Sequence, residues 1–519
     1  MNRFHCKTQR PGVRRVVALG LAALLSASMM SASASPVLFS EPPPPDSPQV
    51  SHTAAYLGIG QAVADFDRDG WPDVYLTSGQ GPNTLLRNDH GGLVPAADAG
   101  VLELPAHTSA GALFFDYDND GWSDLLVLGQ GGSYLFRNQE GAGWVDVTTA
   151  SSLGTSGRGQ SAAVADFNRD GWLDLYVVHW YFGEDEDSPL RADQLFVNQQ
   201  GQFEDASQWL DEDALSGPGF AAVWLDYNND GLSDLYVVND KLYGNILWRN
   251  DGPGCGGWCF SDVSVQTGAT RPAFSMGIAA GDPDLDGDLD LYYSSIGEQV
   301  LLENQTAQGQ DAFVEISSAA GVSPDAIGWG AMFLDADNDA RPDLYLATSN
   351  ADPARCNRFW RNLGDGVYED LSGPAGLGDC GFSMGLARAD FDRDGRIDLI
   401  LGNWGERFVV YRNQSPAGRS LRVFLDGAEW VNRDAVGTRG WLRDSEGRVQ
   451  MQELALGSGH GGNHEAVLHF GLGSADATEL ELRWPDGVIQ RLVPPAVGGE
   501  LRLAHPHSGA VFIDGFEAP

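Results

Sequence analysis

The sequence predicts an all-β fold: a seven-bladed β-propeller followed by a small β-rich, sandwich-like domain. Three observations predict it. A nine-residue pattern, D-x-[DN]-x-D-[GA]-x-x-D, recurs seven times, with 50 to 60 residues between successive starts. Each copy sits among the same short apolar runs, rich in β-branched and aromatic residues and bounded by Gly, Asn and Asp; such runs read as strands. Near Gly418 the repetition stops and a different strand-like region begins. Four strands per repeat, seven times over, describes a propeller. A solenoid is the competing architecture, but it requires no fixed repeat number, whereas a closed ring does.

The elements follow in order. Residues 1–34 carry Arg3, Lys7, Arg10, Arg14 and Arg15, then the apolar run Val16 to Leu25, then Ala32-Ser33-Ala34. A basic start, a short apolar stretch and a small-x-small site describe a secretory signal peptide cleaved near Ala34. The run is too short to span a bilayer, and no later segment is long and apolar enough. The expected location is outside the cell or in a bacterial envelope. Residues 35–50 form a Pro-rich lead-in that includes EPPPPDSP at 41–48. Within it VLFSE is read as the fourth strand missing from the last repeat, closing the ring and leaving no open sheet edge. The propeller occupies 51–416, the second domain 417–503, and 504–519 form a tail ending in VFIDGFEAP.

Each repeat has four parts. A small, apolar segment such as GQAVAD or MGLARAD comes first. The acidic loop follows, then a strand such as DVYLTS or DLYVVN, then an aromatic or leucine run ending in Asn (LLRN, LFRN, LFVN, LWRN, LLEN, FWRN, VYRN). The acidic residues at loop positions 1, 3, 5 and 9 converge on one point, and Gly at position 6 permits a positive φ. An all-oxygen cage with three or four carboxylates suits Ca²⁺. Up to seven ions are expected. Their ligands are Asp65, Asp67, Asp69 and Asp73 in loop one and Asp116, Asp118, Asp120 and Asp124 in loop two. Loop three offers Asp166, Asn168, Asp170 and Asp174; loop four offers Asp226, Asn228, Asp230 and Asp234. Loop five has Asp282, Asp284, Asp286 and Asp290; loop six has Asp335, Asp337, Asp339 and Asp343; loop seven has Asp390, Asp392, Asp394 and Asp398. An EF-hand is excluded, because position 12 is Leu, Val or Tyr rather than Glu. Loops one, two, five and seven are expected to bind best. Asn168 and Asn228 weaken loops three and four, and Ala340 in place of Gly strains loop six.

The chain has 72 Asp+Glu against 32 Lys+Arg and a formal charge of −40, and removal of residues 1–34 makes it five units more negative. This excludes a nucleic-acid binder, which needs a basic face, and docking on anionic lipid. With 42% hydrophobic and 10% aromatic residues, disorder is excluded as well. The even count of Cys255, Cys259, Cys356 and Cys380 after residue 34 favours disulfides. Cys255 and Cys259 lie in one hairpin; Cys356 and Cys380 fall on the same predicted face. The expected pairs are Cys255–Cys259 and Cys356–Cys380.

The longest connection on the face opposite the loops, HWYFGEDEDSPLRADQ at 179–194, presents Trp180, Tyr181 and Phe182 as exposed aromatics beside Glu184 to Asp187. His460, His464 and His469 fall together in GHGGNHEAVLH, either as a transition-metal cluster or as a Gly-rich surface hairpin. GFSMG at 381–385 satisfies G-x-S-x-G, but a nucleophile elbow needs a helix after the Ser. Here the segment opens a strand, and AFSMG at 273–277 shows it to be a product of the repeat. No catalytic residue is assigned.

NRDAVGTR (432–439), GSGH (457–460), HFGLG (469–473) and LRWPDG (482–487) resemble the ASPIC/UnbV domain. Together with loops that resemble integrin-α-type FG-GAP (VCBS-like) repeats, they make the chain similar to the cartilage acidic protein-like family of secreted proteins. Ala435 departs from the Gly usual there. The resemblance implies a calcium-binding extracellular propeller without an established enzymatic activity. The expected function is a non-catalytic protein or glycan interaction module in adhesion. The alternative is a carbohydrate-active enzyme or lectin using the face opposite the loops, with aromatics such as Trp180 and Trp404.

Overall fold

The structure is a computed structural model. It describes residues 37–509 except 43–49, 54–57, 98, 155–156, 182–191, 212–214, 350–354 and 417. Residues 1–34, read above as a signal peptide, most of the Pro-rich lead-in, Phe182, Glu184 to Asp187 and the FIDGFE tail lie outside the described residues.

Seven antiparallel four-stranded meanders account for residues 37–413, one of them extended by the two-residue strand Ile296–Gly297. Their first strands are Gln61–Ala64, Thr108–Phe115, Gly159–Ala165, Gly219–Leu225, Ile278–Gly281, Ala326–Leu334 and Ser383–Ala389. Each first strand packs against the first strand of the next sheet, and the seventh packs against the first, so the ring closes. The last sheet takes its outer strand from the N-terminal side: Phe39–Ser40 pairs with Val409–Asn413, Phe39 opposite Asn413. The apolar runs form strands because small residues (Ala, Gly) let neighbouring first strands approach, while Val, Leu and aromatic residues of the second and third strands fill the space between sheets. Val63, Val74, Leu86 and Ile400 are fully buried in this way.

The Asn that closes each aromatic or leucine run of the third strands ties the ring together. The seven side-chain amides donate to the position-2 carbonyl of the preceding blade's loop at 2.7–3.0 Å: Asn138 to Phe66, Asn198 to Tyr117, Asn250 to Phe167, Asn304 to Tyr227, Asn362 to Pro283, Asn413 to Ala336. Asn88 completes the circuit by donating to Phe391. These amides are buried, so removing one leaves a carbonyl without its donor.

The second domain runs from Arg419 to Ala504 and has two sheets. In one, Arg419–Asp426 lies antiparallel to Leu468–Gly473 and parallel to Gly499–Ala504; the other holds Val449–Glu453, Arg439–Asp444, Ala477–Arg483 and Ile489–Leu492. Leu421, Val423, Leu442, Phe470, Leu480, Trp484 and Leu503 make their common core. Ala435 has φ +55°, the left-handed region that Gly would enter freely. The turn holds it there through both bonds between Asn432 and Val436, at 2.8 and 3.0 Å. Cys255–Cys259 and Cys356–Cys380 both pair. No helix among the described residues is long and apolar enough to cross a membrane.

Candidate metal loops and the domain that covers them

The seven acidic loops join the first and second strands of their blades and share one construction. The position-1 carboxylate accepts the position-6 N–H, as in Gly70 to Asp65 at 2.9 Å and Gly395 to Asp390 at 2.8 Å. The position-9 carboxylate accepts two backbone N–H groups in five loops, as Phe66 and Asn88 donate to Asp73 at 3.2 and 2.7 Å; loop five departs from both patterns, since Pro283 has no N–H to give and the Asp282 Oδ2 that position 6 would bond has no donor. Position 6 has positive φ in all seven, between 80 and 93°. Position 4 is left-handed as well (Arg68, Asn119, Arg169, Asn229, Leu285, Asn338, Arg393), a requirement that the side chains do not announce. Ala340 sits at φ +80°, where a Cβ is strained.

Carboxylate oxygens gather in threes in at least four loops, positions 1, 3 and 9 in two of them and 1, 3 and 5 in the other two. Asp65, Asp67 and Asp73 bring one oxygen each within 4.8 Å of the others, as do Asp116, Asp118 and Asp124; Asp282, Asp284 and Asp286; and Asp335, Asp337 and Asp339. In six loops a buried oxygen has no hydrogen-bond donor: on Asp65, Asp118, Asp174, Asp226, Asp282 and Asp337. Burial, aided by neighbouring carboxylates, pushes the acids up: Asp65 to about 6, Asp73 to about 9, Asp116 to about 8, Asp282 to about 8 and Asp390 to about 7. All-oxygen donors, a charge surplus and unsatisfied buried lone pairs fit a hard divalent cation.

The loops differ in what stands beside them. The residue before the closing Asn is Arg in five blades, and in four it turns into its own loop. Arg87 pairs with Asp67 at 2.8 Å, Arg137 with Asp118 at 2.7 Å, Arg361 with Asp337 at 2.5 Å and Arg412 with Asp398 at 2.7 Å. In blade three the position is Val197. In blade five it is Glu303, and loop five also carries the extra Asp288.

The loop face is not open: the second domain docks on it. Arg422, 4% exposed, pairs with Asp390 at 3.1 Å and with Glu465 and Glu500 of its own domain. Arg483 reaches Asp226 at 2.6 Å, and the fully buried Arg439 bonds the Asp226 carbonyl and Glu453. Three carboxylates of this domain accept the backbone N–H of a position-1 Asp: Asp434 from Asp116, Glu453 from Asp226, Glu465 from Asp390. Guanidinium groups from both domains therefore stand among the loops.

The segment 456–465 enters the centre of the ring. Its backbone bonds the first strands of blades one, two, three, five and seven: Asn463 N–H to Gln61, Ala112 N–H to Gly461, Val164 N–H to Leu456, Gly459 N–H to Ile278 and Glu465 N–H to Arg388. The glycines are steric requirements here, since a Cβ on Gly462 would stand 2.1 Å from the Gln61 carbonyl. The surface-hairpin reading of GHGGNHE is corrected: it is a buried plug. Its histidines serve different neighbours. His460 lies against Phe220 and Trp329, His464 is buried near Arg388, and His469 Nε2 meets Asn338 at 2.8 Å. Burial holds His460 down at about 4 and His464 at about 3, so both are neutral.

The aromatics named for the opposite face are also corrected. Trp180 is 5% exposed, stacks on Phe220 and donates to Asp240 at 2.9 Å; Tyr181 is 6% exposed beneath Lys241. Trp404 is half-buried against Phe382. Aromatic packing thus fills the ring's centre beyond the plug. Ser383 is fully buried in its strand, donating to Asn403 at 2.7 Å and accepting from Asn357 at 3.0 Å.

Comparison with known proteins agrees with this architecture. The FG-GAP-like repeat family matches residues 65–127, 116–177, 226–293 and 335–401, and the ASPIC and UnbV family matches 429–510. Cartilage acidic protein 1 of Mus musculus is 25% identical over 515 residues, covering 88% of this chain and 75% of that protein. The Homo sapiens protein is 25% identical with 88% and 74% covered. Integrin alpha-7 of Mus musculus is 38% identical over 86 residues, 16% of this chain and 7% of that one. Among solved structures, BBS1N in complex with ARL6DN has a TM-score of 0.46 at 10% identity, covering 74% of this chain and 99% of that one. The chain carries FG-GAP repeats and an ASPIC/UnbV domain, and it is homologous to cartilage acidic protein 1.

Proposed function

We propose that the protein is a secreted, calcium-stabilised, non-catalytic interaction module that presents the face opposite its acidic loops to a protein or glycan. The observation that carries the calcium reading is the set of buried carboxylate oxygens, one or more in each of six loops, that face no donor. A divalent cation satisfies such oxygens; water alone leaves the charge surplus in place. The second domain occupies the loop face, so a partner's access is from the other side. Homology to cartilage acidic protein 1 and to a segment of integrin alpha-7 supports the interaction role.

The loops are not equivalent in this reading. Loop five, with Asp288 and Glu303 and no guanidinium paired to it among the described residues, binds most tightly. Loops one, two and six compete with their own Arg87, Arg137 and Arg361. Loop seven, expected from its sequence to bind well, binds weakly in this reading because Arg412 and Arg422 already stand against Asp398 and Asp390, and loop four binds weakly because Arg439 and Arg483 meet Asp226 and Asn228 replaces a carboxylate. The test is calorimetric titration of chelator-treated protein with Ca²⁺, beside thermal melts with and without chelator. A melting temperature indifferent to chelation would refute the calcium reading, and seven identical sites would refute the ranking.

A further inference from the structure

Away from the loops, the second domain brings together three donors of a different chemistry. Asp486 lies in the turn before Ile489–Leu492; His505 follows Gly499–Ala504; His507 lies in the short turn Pro506–Ser508. One donor atom from each lies within 4.8 Å of the other two. His505 is completely buried, held edge-on by Trp484 at 5.0 Å between ring centroids and stacked with Trp430 at 6.2 Å. Its Nε2 faces Asp486 Oδ2 at 3.3 Å and has no other partner. The second oxygen of Asp486 is committed, accepting the Val488 N–H at 3.0 Å. Asp486 and His507 are exposed, so the site is open to solvent on one side and walled by tryptophan on the other.

We infer that Asp486, His505 and His507 form a binding site for a zinc-type divalent cation, with water completing the coordination. Two imidazoles and a carboxylate suit zinc rather than calcium. Tetrahedral zinc with bonds near 2.0 Å sets its ligands about 3.3 Å apart, the separation already present between His505 and Asp486. Rotation of the exposed His507 side chain completes the set. Binding through His505 Nε2 puts the imidazole proton on Nδ1, which gives up the long 3.4 Å contact from the His507 N–H; a contact of that length is a small loss. Trp430, 5.0 Å from the His507 ring, stands close enough to report occupancy by fluorescence.

The test is zinc titration of the full chain in calcium-saturated buffer, followed by calorimetry and Trp fluorescence, with Asp486→Asn and His507→Ala. Both variants alter exposed side chains and leave the domain core intact. The inference expects one zinc per chain that calcium does not displace. It also expects affinity to fall by more than about tenfold in each variant, since even indirect supporting partners of a ligand are worth that much, with unchanged calcium-dependent melting. Zinc binding that survives both variants, or that calcium displaces, overturns it.

Discussion

Loops five and seven share the same motif, aspartate at positions 1, 3, 5 and 9 with glycine at position 6, and are opposite in their surroundings. Loop five collects further negative charge, Asp288 inside the loop and Glu303 from the third strand, and Gln308 rather than a cation bonds Asp286 at 2.7 Å. Loop seven is ringed by Arg396, Arg412 and Arg422, the last from another domain. A cluster of buried carboxylates needs a counter-charge from somewhere. Loop seven takes it from the chain; loop five, in the reading proposed above, leaves it to a metal. The difference shows that a binding motif states the ligands but not their competitors.

The largest effect expected from breaking this contrast is at Arg422. Arg422→Met takes the shared guanidinium from Asp390 and Glu465, while Glu500 keeps Arg393 at 2.8 Å. Removing one partner of a buried ion pair costs about 3–5 kcal/mol, and chemical denaturation will show that loss, with earlier proteolysis near residues 414–418. Calcium gives the next largest. At a free concentration 100 times Kd a single site stabilises by about 2.7 kcal/mol. Asp284→Asn should abolish most of that gain in melting temperature, and Asp392→Asn should leave it nearly intact. Equal losses from the two would erase the distinction between the loops.

A smaller change converts one loop into the other. Glu303→Arg places a guanidinium at the position that Arg87, Arg137, Arg361 and Arg412 use, and should weaken calcium at loop five by about tenfold, or about 1.4 kcal/mol, in titration calorimetry. The smallest signal is in protons. Burial raises Asp282 to about 8 and Asp284 to about 6, from 3.8. Without metal these acids oppose folding increasingly as pH climbs from about 4 to 8. Calcium takes the ionised form, so binding near neutral pH must release protons. Calorimetry in buffers of different ionisation enthalpy measures that release, which Asp284→Asn should reduce more than Asp392→Asn.

What the sequence displayed and what it concealed divide along physical lines. The seven sheets, the loops, the closing strand at Phe39 and both cysteine pairs were legible because each depends on local pattern or on repetition. The Asn closing each third-strand run was visible as a repeat, but its bond crosses to the preceding blade and had no local sign. The contacts of Arg422 with Asp390 and of Arg439 with Asp226 join residues from different domains, and no periodicity encodes them. GHGGNHE looked like a surface hairpin because glycine runs usually are one; here its glycines admit a neighbouring backbone. Trp180 was misplaced because an aromatic next to an acidic stretch looks exposed until its stacking partner, Phe220, is known. Asp486 and His505 escaped notice for the same reason as the arginines: a turn and a strand end meet only in the folded domain.

The closing strand also sets an order of events. Phe39–Ser40 is among the first stretches of the ring to be synthesised, but its partner, Val409–Asn413, is among the last. Six blades can form while the chain is still emerging; the seventh cannot. The plug at 456–465 arrives later still and bonds five blades at once. Assembly is therefore ordered in time, with the ring gaining its joint and then its centrepiece only after nearly the whole chain is available. Contacts between such distant parts of a chain make folding slow, and any truncation before residue 465 would leave a ring that had never been locked.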